Sequence, residues 1–296
     1  LRGTIRYMEL ATAGDEPALA DALRARRAAV GPDRIFALLY TSGTTAFPKG
    51  AMISHRNCLP HSWDAARRCR LSEHDRVLLT TPLSGSFGLT ISLMTTSCGA
   101  TMVMPEAALP RELLRLLEDE RITTWHAVDT MLRAVLDHPD LDRYDRSALK
   151  GGVTSLNSGG PQALFDEVVT RLMPGAFRAY GMTELNTLTL FAAPDDPLEL
   201  RRRPGGFPFE GHEVHVVDPD TGDPCPIGQP GELRVRVEGL GAALARHRPP
   251  SQPPGGVIVG RTGHGPFLGH QSHTVGALGG GRSGVAHRFD LRGAKG

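Results

Sequence analysis

Residues 40–50 read Tyr40-Thr41-Ser42-Gly43-Thr44-Thr45-Ala46-Phe47-Pro48-Lys49-Gly50. Hydroxyl side chains flank a glycine, and the closing Pro-Lys-Gly fixes one cation at the end of a small polar loop. Backbone N–H groups, Ser/Thr hydroxyls and an ammonium gathered in one loop can wrap a polyphosphate. The apolar run Ile35-Phe36-Ala37-Leu38-Leu39 before it reads as a buried strand. After it come a short apolar segment, Ala51-Met52-Ile53, and then Ser54, placed as the N-cap of a helix beginning His55-Arg56-Asn57. Strand, phosphate loop, short apolar segment and helix predict a nucleotide site.

A P-loop of the Walker type needs Gly-x-x-x-x-Gly-Lys-Ser/Thr, with the hydroxyl directly after the lysine. Here Gly50 follows Lys49, Gly43 stands six residues before that lysine and no glycine immediately precedes it, so that reading fails on spacing. The stretch resembles instead the Thr-Ser-Gly-Thr-Thr-Gly-x-Pro-Lys-Gly loop of the AMP-forming adenylating enzymes, the superfamily of acyl-CoA synthetases, peptide-synthetase adenylation domains and luciferases. The resemblance implies that Thr41, Ser42, Gly43, Thr44, Thr45 and Lys49 hold the β- and γ-phosphates of ATP. Residue 46 departs from it, being Ala where the family has Gly. If the loop needs a positive φ there, Ala46 costs about 1 kcal/mol or more, and weaker phosphate binding is the expectation.

A second motif follows in family order. Ala179-Tyr180-Gly181-Met182-Thr183-Glu184 offers a ring to stack on a purine, a hydroxyl for a phosphate oxygen and a carboxylate for a hard cation. It is similar to the family's Tyr-Gly-x-Thr-Glu motif without departure. The resemblance gives Tyr180 and Gly181 to the adenine side, Thr183 to the α-phosphate and Glu184 to magnesium. Just upstream, Ser155-Leu156-Asn157-Ser158-Gly159-Gly160-Pro161 leads into an amphipathic stretch with Leu164, Phe165, Val168, Val169 and Leu172 on one face. By the same resemblance Gly159, Gly160 and Pro161 line the adenine pocket, although a plain helix-entry turn explains them equally well.

Other segments are read more modestly. Residues 211–218 and 231–237 alternate as strands around the turn Pro219-Asp220-Thr221-Gly222-Asp223 and are read as structural. Pro82-Leu83-Ser84-Gly85-Ser86-Phe87-Gly88 resembles the family's Pro-Leu-Phe-His-x-x-Gly segment beside the carboxylic substrate. Ser84 and Gly85 replace its aromatic and histidine, and Phe87 serves a pocket or the core. His126, on an apolar strand, reads as a satisfied core histidine. Arg201-Arg202-Arg203 reads as a solvated loop.

Alternation of strands at 35–40, 76–80, 100–104, 122–128, 213–217 and 232–237 with helices at 17–29, 110–120 and 161–172 argues an α/β fold in layered sheets. The resemblance makes it the large domain of an acyl-adenylate-forming enzyme, spanning residues 1–239, incomplete at its N-terminus and lacking the small C-terminal domain. Residues 240–296 hold fourteen Gly, five Pro, five His and six Arg, with Asp290 the only acid. They are expected to be disordered, or translated out of frame. Arg261-Thr262-Gly263-His264 comes nearest to the family's Thr-Gly-Asp, with a histidine where ribose hydroxyls call for a carboxylate.

With 296 residues, 40% apolar content and a net charge of +1, the chain gives no ground for a nucleic-acid partner. Four cysteines without a CxxC suit reduced thiols, no apolar run reaches membrane-spanning length, and the expectation is a soluble, cytoplasmic protein of undetermined oligomeric state. The implied reaction activates a carboxylic acid, read as a fatty acid, as acyl-AMP and then transfers it to the thiol of coenzyme A. Its requirements are ATP, Mg2+ and coenzyme A as co-substrate, with Lys49, Thr183 and Glu184 as catalytic groups. The step is expected to be impaired in this chain. An adenylation domain loading a carrier protein, and a non-catalytic remnant that binds nucleotide weakly, are the competing readings.

Overall fold

The computed structural model describes residues 17–41, 49–155, 162–203, 205–210, 212–218, 220–226, 231–237 and 257–261. Its centre is an eight-stranded sheet built from β3 (Arg76–Leu78), β4 (Thr101–Val103), β5 (Thr124–Trp125), β6 (Ala127–Val128), β7 (Gly151–Ser155), β8 (Gly175–Tyr180), β9 (Leu190–Phe191) and β10 (Phe207–Pro208). The strand order is β10-β9-β8-β7-β5-β3-β4, with β6 also beside β7. β4, β3, β5, β7 and β8 run parallel, and β9 and β10 close one side antiparallel. The strand expected over 122–128 is thus two short strands with His126 between them.

Side-chain alternation along the strands builds a layer on each face. Leu78, Trp125 and Ala176 pack with α4 (Pro110–Asp119), α5 (Asp129–Leu136) and α6 (Gln162–Arg171). Val77, Leu79, Val153 and Phe177 point the other way, against α2 (His55–Arg68) and α3 (Ser86–Ser97). Helices on both faces of a mostly parallel sheet make the layered α/β architecture that the sequence predicts. α4 starts at Pro110 and buries Leu113, Leu114, Leu116 and Leu117, the crossover helix read from the sequence. α1 (Pro17–Ala28) is exposed over its described length.

Two smaller sheets flank this body. β1 (Ile35–Thr41) and β2 (Lys49–Ser54) form an antiparallel hairpin, with Tyr40 opposite Gly50 and Thr41 opposite Lys49. The segment Ala51-Met52-Ile53 is therefore a second strand, where the sequence suggested only a link to the helix. Ala51 and Ile53 are buried with Leu39 and Cys58 of α2, and that burial holds it extended. Ser54 caps α2 as expected, its Oγ accepting from the Asn57 N–H at 3.3 Å.

The other small sheet is β11 (His212–Val217), β12 (Glu232–Val237) and β13 (Val257–Arg261). β11 and β12 pair as the alternation predicts, around a turn in which Asp218 Oδ1 accepts from the N–H of Asp220 and Thr221. Within the segment expected to be disordered, β13 pairs with β12, and its Val257-Ile258-Val259 is a β-branched run suited to a strand. The rest of 240–296 lies outside the described residues. The arginine run is also not a solvated loop. Arg201 donates to the carbonyls of Pro174, Ala176 and Asp196, and Arg202 pairs with Asp166 at 2.9 Å. Among the described residues no helix is long and apolar enough to cross a membrane.

Candidate functional site

β7 and β8 are neighbours with Gly151 opposite Gly175 and Thr154 opposite Arg178. The segment after Ser155 and the segment after Tyr180 therefore leave adjacent strand ends on one edge of the sheet. In open α/β sheets ligands sit in the crevice outside these carboxyl ends. Gly159, Gly160 and Pro161 lie outside the described residues, as do Ser42, Gly43, Thr44, Thr45 and Ala46. Thr41 and Lys49 are placed by their backbone as cross-strand partners, so the loop of residues 42–48 begins and ends at one point. The β2 arm, which carries Lys49, packs against a 3-10 turn, Thr183–Leu185. The two motifs, far apart in sequence, thus share one corner of the fold.

The Tyr-Gly-Met-Thr-Glu segment is shaped by its own backbone. After Tyr180 the chain folds back so closely that a Cβ on Gly181 would lie 1.1 Å from the Thr187 carbonyl oxygen. No other residue fits there. The return is made by two consecutive left-handed residues, Asn186 at φ 55° and Thr187 at φ 71°. A β-branched residue at that φ is strained, and such strain collects at binding and catalytic turns. Thr189 N–H to Tyr180 O at 2.8 Å and Thr187 N–H to Met182 O at 2.9 Å close the fold-back.

Within this turn Glu184 is buried, at 5% exposure. Burial, with the Glu184 carboxylate close by, pushes the Tyr180 phenol up to about 12, so the phenol stays protonated and can donate. Thr183 Oγ1 lies 3.1 Å from Ser86 Oγ, at the first turn of α3. Gly88 lets α3 start there, because a Cβ on it would meet the Pro82 carbonyl oxygen at 2.2 Å. The Pro82–Gly88 segment is thereby joined to the Thr-Glu turn, while Phe87 packs against the core.

Sequence reasoning passed over two residues here, Ser86 and Asn186. Asn186 is buried, its Nδ2 donates to Asn57 O at 3.0 Å, and its own carbonyl accepts from Thr90 Oγ1 at 3.1 Å. Its only signal in the sequence is that asparagine tolerates the left-handed region. His61 is buried, and burial, with His212 nearby, pushes its imidazole down to about 3. His126 is fully buried, its Nδ1 accepting from Val153 N–H at 3.1 Å, and burial lowers it to about 4. Its Nε2 has no partner among the described residues, so it is a core histidine satisfied at one nitrogen only.

The donor set suits a nucleotide with a hard cation. Among the described residues no three His, Cys, Asp or Glu side chains come together. Magnesium is commonly held by one or two carboxylates with the remaining positions filled by phosphate oxygens and water. A single buried carboxylate beside a hydroxyl fits that pattern.

Comparison with known proteins agrees with this layout. The family model described as AMP-binding enzyme matches residues 4–243. A relative from Bacillus subtilis (strain 168) named as an acyl-CoA synthetase, YngI, is 32% identical over 216 residues, 72% of this chain and 39% of that protein. A linear gramicidin synthase protein of Brevibacillus parabrevis is 35% identical over 221 residues, 71% of this chain and 3% of that one. The solved structure of the ATP-bound RpMatB-BxBclM chimera B3 matches with a TM-score of 0.62 at 27% identity, covering 70% of this chain and 40% of that chain. The chain therefore spans about two fifths of the length of the acyl-CoA synthetase it matches. Motifs in order, a shared corner at the carboxyl ends of parallel strands and a family match over most of the sequence lead to one assignment: the chain belongs to the AMP-binding enzyme family.

Proposed function

We propose that the chain carries the nucleotide-binding part of an AMP-forming acid–thiol ligase. That ligase activates a carboxylic acid with ATP as acyl-AMP and pyrophosphate, then passes the acyl group to the thiol of coenzyme A. The observation that carries the reading is the packing of the β2 arm, with Lys49, against the Thr183–Leu185 turn. It brings the strand that follows residues 42–48 beside Thr183 and Glu184. In this reading Tyr180 and Gly181 face the adenine together with Gly159, Gly160 and Pro161. Thr41, Ser42, Gly43, Thr44, Thr45 and Lys49 hold the β- and γ-phosphates, and Thr183 the α-phosphate.

Carboxylate and triphosphate repel each other, so catalysis rests on positioning and charge neutralisation. Magnesium, when bound, supplies a fixed positive charge on the phosphate oxygens. Glu184 holds it, Lys49 adds a second cation, and the Tyr180 hydroxyl keeps its proton beside the Glu184 carboxylate. We infer slow adenylation, because the stretch nearest to the family's Thr-Gly-Asp ends in His264 and the phosphate-loop sequence has Ala46 in place of glycine. A fatty acid is the acid we favour, and a soluble, cytoplasmic setting goes with it.

The test is ATP–pyrophosphate exchange by the full chain over a panel of fatty and aryl acids. Acid-dependent exchange with coenzyme A-dependent release of AMP is the expected result; no exchange and no saturable MgATP binding contradicts it. The 35% identity to a gramicidin synthase protein favours a second reading, adenylation for a carrier protein. Exchange followed by transfer to a carrier's thiol, with none to coenzyme A, would select that reading.

A further inference from the structure

We propose that Asn186 is a positioning residue that sets Thr183 and Glu184 against the phosphate hairpin. The proposal rests on the reading of those two residues as nucleotide-binding groups. Three elements meet at Asn186. Its Nδ2 donates to Asn57 O at 3.0 Å in the first turn of α2, and Asn57 N–H in turn is capped by Ser54, the last residue of β2. Its carbonyl accepts from Thr90 Oγ1 at 3.1 Å on α3, the helix whose Ser86 touches Thr183. Its N–H donates to Thr183 O at 3.2 Å, closing the turn that carries Glu184.

One buried amide thus links the hairpin arm, the Pro82–Gly88 segment and the Thr-Glu turn. Asparagine meets both demands of the position. It enters the left-handed region, at φ 55° and ψ 34°, more readily than other residues with a Cβ, and it brings a donor that glycine lacks. Positioning partners of this kind leave the ligand untouched and act on the groups that touch it.

The test uses the full chain with Asn186→Gly, which keeps the backbone and drops the donor, and Asn186→Asp, which keeps the shape and turns a carboxylate toward a carbonyl. MgATP and adenosine are titrated by calorimetry, and amide hydrogen exchange is followed over residues 183–189. Both variants are expected to lose MgATP affinity by about tenfold or more, while adenosine affinity stays within about twofold. Protection at the Asn186 and Thr187 amides falls in parallel. Thr90→Val removes only the α3 hydroxyl and is expected to lower the MgATP-to-adenosine affinity ratio by a smaller factor. It decides the matter alone should the Asn186 variants not fold. If wild type binds both probes and the ratio is unchanged in the variants, or both ligands weaken equally, the positioning role is overturned. Wild type that binds neither probe overturns the nucleotide reading and the proposal with it.

Discussion

At the amino ends of the parallel strands, the residues immediately before β3, β5 and β7 are Asp75, Thr123 and Lys150, and they are bonded to one another. Thr123 Oγ1 donates to Asp75 Oδ1 at 2.7 Å and Lys150 Nζ to the same oxygen at 3.1 Å, while Ser72 N–H and Oγ occupy Oδ2 at 2.9 Å. The carboxyl ends are built the other way. Asp129 Oδ1 and Thr187 Oγ1 are buried there without a partner among the described residues. One edge uses its polar groups to hold strands together; the other leaves some of them unpaired.

The largest effect that separates the edges belongs to Gly181→Ala. With its Cβ directed at the Thr187 carbonyl, the fold-back cannot form, and a loss of about 3 kcal/mol or more of stability is expected. Chemical denaturation measures it, and MgATP binding should vanish in the fraction that remains folded. Asp75→Asn comes next, at about 2 kcal/mol, because it unsettles a buried group with several donors. Lys150 is exposed and screened, so most of that loss comes from Ser72 and Thr123. MgATP affinity should survive Asp75→Asn within about twofold; a tenfold loss would mean that the edges are not separate.

The two edges also respond to pH with opposite sign. Burial pushes Asp75 up, but hydrogen bonds from Thr123, Ser72 and Lys150 outweigh it and leave its carboxyl below the ordinary value. Its stabilisation is present above about pH 4 and is lost as pH falls through the lowered pKa. Asp129, the first residue of α5 at the carboxyl edge, is raised to about 6 by burial, against the pull of Arg178. Its contribution is present below about pH 4 and is lost as pH rises through the raised value. Denaturation curves taken from below about pH 4 to neutral pH should show Asp129→Asn removing the fall in stability toward neutral pH and Asp75→Asn removing the fall below about pH 4. The smallest effect is that of Ser86→Ala, which removes one hydroxyl from Thr183 and should weaken MgATP binding about threefold with stability nearly unchanged. Calorimetry resolves a change of that size.

The layered α/β class and the motifs at the carboxyl edge were legible in the sequence; the amino-edge cluster of Asp75, Thr123 and Lys150 was not, and the illegible part has physical causes. The Thr-Ser-Gly-Thr-Thr loop and Tyr180–Glu184 stand out because both match the motifs of the family to which the chain belongs. α4 announces itself through Leu113, Leu114 and Leu117 on one face. α3 does not: Ser86–Ser97 is rich in hydroxyls and lacks a polar stripe. The hydroxyls of its second half bond back to carbonyls of the preceding turn, as Thr95 does to Ile91 and Ser97 to Met94. The hairpin partner β2 read as a linker because its pairing with β1 spans the loop. Asn186 and Ser86 carry no local pattern, since their roles arise only when α2, α3 and the Thr-Glu turn converge.

Equilibrium binding of MgATP to the full chain, compared between Glu184→Gln and Asp75→Asn, tests the account most directly. Saturable binding by wild type, retained in Asp75→Asn and reduced about tenfold or more in Glu184→Gln, is the predicted result. Equal losses in the two variants, or no saturable binding by wild type, would contradict the placement of the nucleotide at the carboxyl edge.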